Sequence, residues 1–148
     1  DGKLRGCVGS IGAWRPLIED VAENAVRAAF KDSRFKPLTQ DEIDNHHLAL
    51  TVSVLSPQAP LGFADEADLI AQLRPGIDGV VLQEGKQRGV FLPVVWKQVP
   101  EPATFLKHLK RKAGLAEDYW SDSLRAWRYV TETVSSESLS DPRAVWQD

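Results

Sequence analysis

Ile77-Asp78-Gly79-Val80-Val81-Leu82-Gln83, then Glu84-Gly85-Lys86-Gln87, then Arg88-Gly89-Val90-Phe91-Leu92-Pro93-Val94 reads as two strands around one turn. The runs are rich in the branched and aromatic residues that suit a pleated surface. A connection this short joins antiparallel neighbours, because parallel strands need a long crossover. Pro93 has no amide donor and belongs at a strand end or edge. Ahead of the hairpin, Pro75-Gly76 stops a short helix over 67–73. Gly76 and Gly79 bracket Asp78 as a tight turn into the strand. No helix with the required glycine spacing follows, so this is no dinucleotide fingerprint.

Outward from the hairpin, residues 102–113 form a long helix with Phe105, Leu106, Leu109 and Ala113 on its buried face. Lys107, Lys110, Arg111 and Lys112 crowd its exposed face and last turn, and Gly114 is a left-handed stop on which Leu115 folds back. Residues 125–134 read as a closing strand. Residues 48–55 read as another, with Leu48, Leu50, Val52 and Val54 on one face. Residues 56–63 form a loop stiffened by Pro57 and Pro60. A second long helix opens at Pro16 and runs to about Lys31. Its apolar stripe of Ile18, Val21, Ala22, Ala25 and Ala29 is alanine-rich, which allows close packing on a sheet. Thr39 with Glu42 has capping-box spacing for a short helical turn. The expected architecture is α/β in the α+β sense: a largely antiparallel mixed sheet, two main helices packed on it, and a smaller subdomain.

At 148 residues the chain suits one domain with a real core, and its net charge of −3 gives no overall attraction to nucleic acid or an anionic membrane. One cysteine makes neither an internal disulfide nor a zinc ligand set, so a reducing, cytoplasmic setting is the default. No apolar run reaches bilayer-spanning length. Methionine is absent even at position 1, which reads as a missing natural N-terminus. Residues 135–148 read as a polar tail, with Val145-Trp146 either docked or disordered.

The single cysteine lies in Leu4-Arg5-Gly6-Cys7-Val8-Gly9. If this run is extended, Arg5 and Cys7 share a face about 7 Å apart. A guanidinium near a thiol favours the reactive thiolate. Gly6 and Gly9 leave room for a backbone or ligand to approach. Cys7 is thus a candidate nucleophile, and Arg5, Gly6, Gly9 and Arg34 are candidate ligand-binding residues. The competing structural readings are a buried cysteine, an Arg5 ion pair with Asp32 or Asp78, and an Asp32–Arg34 brace within one loop. No histidine is placed to serve Cys7 as a base. His46 and His47 point to opposite faces if they are in a strand and do not chelate one ion, so no metal site is expected. Trp96 and Trp120 are candidates to line a cleft.

These motifs resemble the AMMECR domain family, whose prokaryotic members are called AmmeMemoRadiSam system protein A. The resemblance rests on residues 4–9, Asn24-Ala25, Ala28-Ala29-Phe30, Asp32-Ser33-Arg34-Phe35 with Pro37-Leu38, and Ser53-Val54-Leu55-Ser56. It continues through Pro75-Gly76-Ile77-Asp78-Gly79-Val80, Phe91-Leu92-Pro93 and Lys112-Ala113-Gly114-Leu115. It covers residues 1–134 and implies a segment before the first motif that this chain lacks. It also implies association with Memo-type and radical SAM proteins, and leaves reaction, cofactor and oligomeric state open. The resulting expectation is an accessory component of a Memo/radical-SAM-linked modification system. Cys7 would sit in a cleft that binds or reacts with a small anionic ligand. The alternative is a non-catalytic interaction adaptor in which residues 4–9 are structural. A nucleic-acid-binding regulator ranks last on charge.

Overall fold

The computed structural model describes residues 3–45 and 48–138. In chain order the elements are α1 (Leu17–Phe30), α2 (Gln40–Asn45), β1 (Thr51–Leu55), β2 (Ala59–Leu61), α3 (Glu66–Gln72), β3 (Gly79–Glu84), β4 (Gln87–Phe91), a 3-10 turn (Pro93–Lys97), α4 (Pro102–Lys112), β5 (Arg125–Tyr129), β6 (Thr131–Ser135) and a closing 3-10 turn (Ser136–Ser138). This is an α+β fold. The chain divides into two compact units, one of residues 53–132 and one of residues up to 52 with those from 133 on.

The unit of residues 53–132 is built on a four-stranded sheet of order β2-β5-β3-β4 in which every pairing is antiparallel. The hairpin expected around Gly85 forms one side of it, with β4 at the edge: Glu84 pairs with Gln87, and Gly85 takes the positive φ that the tight turn requires. Strand β4 stops at Phe91, earlier than the sequence suggested, because Pro93 starts the 3-10 turn. Val80, Leu82 and Ala126 form one sheet face, against which Leu69 of α3 and Phe105, Leu106 and Leu109 of α4 close a core. Six of these seven residues are fully buried, each contributing roughly 1.5–3 kcal/mol. Trp96 stacks on Phe105 with ring centroids 3.7 Å apart, and its indole N–H donates to the Asp78 carbonyl at 2.7 Å. It is therefore a core residue and lines no cleft. A side chain at Gly89 would meet the Leu109 carbonyl at 2.8 Å, so glycine is what brings α4 onto β4.

Asp78 is fully buried, and its carboxylate accepts from Arg74 Nε at 3.0 Å, Nη2 at 2.6 Å and the backbone N–H at 3.0 Å. The expected turn at Gly76 is present, with φ 78°. The expected helix stop at Gly114 is also present: φ is 83° and Leu115 N–H returns to the Lys110 carbonyl at 2.9 Å. Lys110, placed on the exposed face by periodicity, is instead fully buried. Glu66 holds its ammonium at 2.6 Å, which permits the burial. Strand β2 lies inside the segment read as a loop. Three residues around Pro60 give too short a signal, and proline survives there because β2 is the sheet edge. The closing strand divides at Val130, since β5 belongs to the four-stranded sheet and β6 to a ribbon with β1. Ser56 N–H bonds to Val130 at one end of the ribbon, and Ser136 N–H bonds to Leu50 at the other, the order of an antiparallel pair. The ribbon carries the unit boundary. Strand β1 begins at Thr51, and Leu48 and Leu50 are exposed.

In the other unit α1 has its acidic residues Glu19 and Asp20 in the first turn and Arg27 in the last, as the helix dipole favours. Its one buried residue is Asn24; Ile18 of the expected apolar stripe is 75% exposed. Helix α2 carries the predicted capping box, in which Thr39 N–H donates to Glu42 at 3.0 Å and Glu42 N–H to Thr39 Oγ1 at 3.3 Å. His46, His47 and the tail from residue 139 on, including Val145 and Trp146, lie outside the described residues.

Candidate functional site

The run Leu4-Arg5-Gly6-Cys7-Val8-Gly9 is not part of a β-ladder; it is a strap along α1. Gly6 sits on the helix, where an added Cβ would lie 1.9 Å from the Ala28 carbonyl oxygen. Close approach to the alanine-rich helix is thus made by the strap. Gly9 has open space around it. The strap is tied at both ends, by Cys7 to the loop after α1 and by Ser10 to the first half of α1.

At the first end, the Cys7 backbone N–H donates to Asp32 Oδ2 at 2.9 Å, and its carbonyl accepts from Arg34 Nη2 at 2.9 Å. Arg34 in turn donates from Nε to Asp32 Oδ1 at 2.9 Å and from Nη2 to Oδ2 at 2.7 Å, a bidentate pair. Both polar groups of the Cys7 peptide are held by one ion pair, and the cysteine is exposed. The Arg34 guanidinium, then backbone N–H bonds from Cys7 and Arg34, hold the Asp32 carboxyl well below the usual carboxylate range. The Arg34 guanidinium is raised, chiefly by Asp32 and in smaller part by the Cys7 side chain, so the sulfur lies within its electrostatic reach.

Arg5 points its charge elsewhere. Its Nη2 pairs with Glu42 at 2.7 Å, its Nε donates to the same carboxylate at 2.8 Å, and Nη1 reaches the Lys36 carbonyl. Its partner is therefore neither Asp32 nor Asp78. The cation beside the thiol is Arg34, two positions after the acid that clamps the strap.

At the second end, Ser10 Oγ donates to Asp20 at 2.9 Å, and Asn24 Nδ2 donates to Ser10 at 3.2 Å and Asp20 at 3.0 Å. Arg15 Nε joins Asp20 at 2.8 Å and also pairs with Glu23. Burial raises the Asp20 carboxyl, but the bonds from Arg15, Ser10 and Asn24 outweigh it and hold the group low. Residue types along the chain do not group these side chains, which come together only on folding. The one signal of the cluster is a polar Asn24 in the register of an apolar stripe, which calls for a partner. Among the described residues no group of histidine, cysteine and acids is arranged to hold a metal. No described helix is long and apolar enough to cross a membrane.

One unit carries a helix-bound strap presenting a cysteine, the other an antiparallel sheet with two helices, and together they define the class of protein. The chain belongs to the AMMECR1 family, whose model matches residues 1–134. Protein MJ0810 of Methanocaldococcus jannaschii is 35% identical over 138 residues, covering 89% of this chain and 66% of that protein. A Methanothermobacter thermautotrophicus relative is 37% identical, covering 88% of this chain and 68% of its own length. The crystal structure of uncharacterized protein PH0010 from Pyrococcus horikoshii superimposes with a TM-score of 0.77 at 30% identity, covering 90% of this chain and 65% of that one. The chain thus spans about two-thirds of the length of these relatives.

Proposed function

We propose that this domain is an accessory component of a Memo/radical-SAM-linked modification system, in which Cys7 presents a thiol to a small anionic ligand. The observation that supports the reading is the clamp: Asp32 and Arg34 fix the Cys7 peptide while leaving the residue exposed. A thiol held on a clamped backbone with a guanidinium nearby is oriented for attack, and the cation favours an incoming anion. Arg34 takes the electrostatic role, with Nη1 unused among the described residues, while Asp32 partly offsets its charge. Arg5 and Gly6 shape the strap, and Gly9 leaves its end open. The link to Memo-type and radical SAM proteins is what the resemblance to the family implies.

The test is a reaction mixture of this protein with such partners and their substrates, followed by intact-mass spectrometry. The reading expects a covalent adduct that is absent from Cys7→Ser. Unmodified protein, with partner binding unaffected by Cys7→Ser, would instead establish the second reading, a non-catalytic adaptor. That reading has its own support, because the clamp uses the polar groups of residues 4–10 to hold the strap on α1.

A further inference from the structure

Helix α1 carries its polar side inward. Asp20 and Asn24 are bonded to Ser10 of the strap, and Gly6 rests on the Ala28 carbonyl, so the covered side of the helix is the polar one. Ile18, Ala22, Val26 and Phe30 follow at four-residue spacing, which sets them in a row on the opposite side. All four are exposed, Ile18 by 75%, Val26 by 53% and Phe30 by 44%. A contiguous apolar row on a helix surface marks a place where another surface docks.

The row is complementary to itself. Turned end for end, it brings Ile18 of one copy beside Phe30 of a second copy, and Ala22 beside Val26. The large residues lie at the ends, while Ala22 and Ala25 keep the middle slim enough for two helices to approach closely.

Charge fixes the direction of that pairing. The flanking row is Glu19, Glu23, Arg27 and Lys31, acidic in its first half and basic in its second. An antiparallel pair lays the acidic half of each helix along the basic half of the other, whereas a parallel pair sets like charge against like. Glu23 is already engaged by Arg15 and Arg27. Glu19 and Lys31 are exposed and make no ion pair among the described residues. We propose that α1 is a self-association surface. Two copies of this chain pair antiparallel through Ile18, Ala22, Val26 and Phe30, with Glu19 of each beside Lys31 of the other. A helix of 14 residues is only about 21 Å long. The contact therefore falls below the roughly 800 Å² per partner of a standard interface, and the dimer is weak and reversible. The strap lies on the covered side of the helix, so pairing leaves Cys7 where it is and does not depend on the reading above.

The experiment is sedimentation equilibrium of the whole chain from about 1 to 500 µM. The expected result is a reversible monomer–dimer equilibrium with a Kd of about 10–200 µM. Val26→Glu should weaken it by about tenfold or more, with the far-UV spectrum of the parent, because the site is exposed. Glu19→Lys should weaken it by about threefold or more, since the contact occurs twice per dimer, and adding Lys31→Glu should restore it. Cys7→Ser should dimerise as the parent does, so a failure at the strap and a failure here are distinguishable. A monomer throughout, whether the row stays open to solvent or another part of the chain covers it, would overturn the proposal. So would open-ended association, because the antiparallel pair is closed. A dimer indifferent to Val26→Glu, or a double charge swap no better than the single one, would overturn it as well.

Discussion

Asp32 accepts the Cys7 backbone N–H at 2.9 Å while also taking two bonds from the Arg34 guanidinium and one from its backbone N–H, so one carboxylate positions both the thiol-bearing peptide and the cation beside it. Removing it should free the strap without touching the core of residues 53–132. In Asp32→Ala, hydrogen exchange at the Cys7 amide should rise by about tenfold or more, while amides of β3 keep their protection. Unchanged exchange at Cys7 would show that the clamp does not hold the strap.

Acid should loosen the two units in order. Asp20, Glu23, Asp32 and Glu42 all lie in the unit of residues up to 52, and all are held below their ordinary values of 3.8 or 4.5. A carboxyl with a depressed folded-state pKa contributes stability above its unfolded pKa, and loses it as pH falls through the folded value. Below about pH 4 the exchange protection of α1 should fall before that of β3 and β5. Simultaneous loss would contradict the placement of these ties.

Two glycines should prove intolerant of a methyl group. Gly6→Ala puts a Cβ into the Ala28 carbonyl, and Gly89→Ala puts one into the backbone of α4. Each should cost about 1–3 kcal/mol or more in urea denaturation, because the obstructing atoms are backbone and cannot rotate away. Gly9→Ala, with nothing nearby, should be silent and serves as the control.

The buried Lys110–Glu66 pair should respond asymmetrically. Glu66→Gln leaves a fully buried ammonium without its counter-ion and should destabilise by about 2–4 kcal/mol, since Glu66 is itself partly exposed. Lys110→Met together with Glu66→Gln should recover most of that loss in thermal melts, because a thioether of similar length fills the same space.

Burial pushes the Tyr129 phenol up to about 12. Its hydroxyl donates to the Phe91 carbonyl at 3.0 Å, and its ring covers Gly79. A spectrophotometric titration of the folded protein should leave this tyrosine un-ionised until about pH 12. Ionisation near the ordinary phenol value of 10.0 would contradict the observed packing.

Much of this arrangement is legible in the residues because it is local. The Gly85 hairpin, the Thr39–Glu42 box and the Gly114 stop each need a few adjacent residues of the right chemistry, and each appears. Non-local relations are not legible in this way. Nothing in the periodicity of α4 distinguishes Lys110 from Lys107, because the difference is Glu66, 44 positions away. The strap reads as a strand because alternation is all that a short run displays, whereas its partner is a helix. The choice between Arg5 and Arg34 as the cation beside Cys7 depends on where Glu42 and Asp32 lie after folding.

The account rests on Arg34 acting on the Cys7 thiol, and the reagents that report this differ only in charge. The measurement is the ratio of alkylation rates with iodoacetate and iodoacetamide at Cys7, in the parent protein, in Arg34→Gln and in an unstructured cysteine peptide. The prediction is a ratio in the parent at least about threefold above the peptide, falling to the peptide value in Arg34→Gln. Equal ratios in all three would contradict it and leave the strap as architecture.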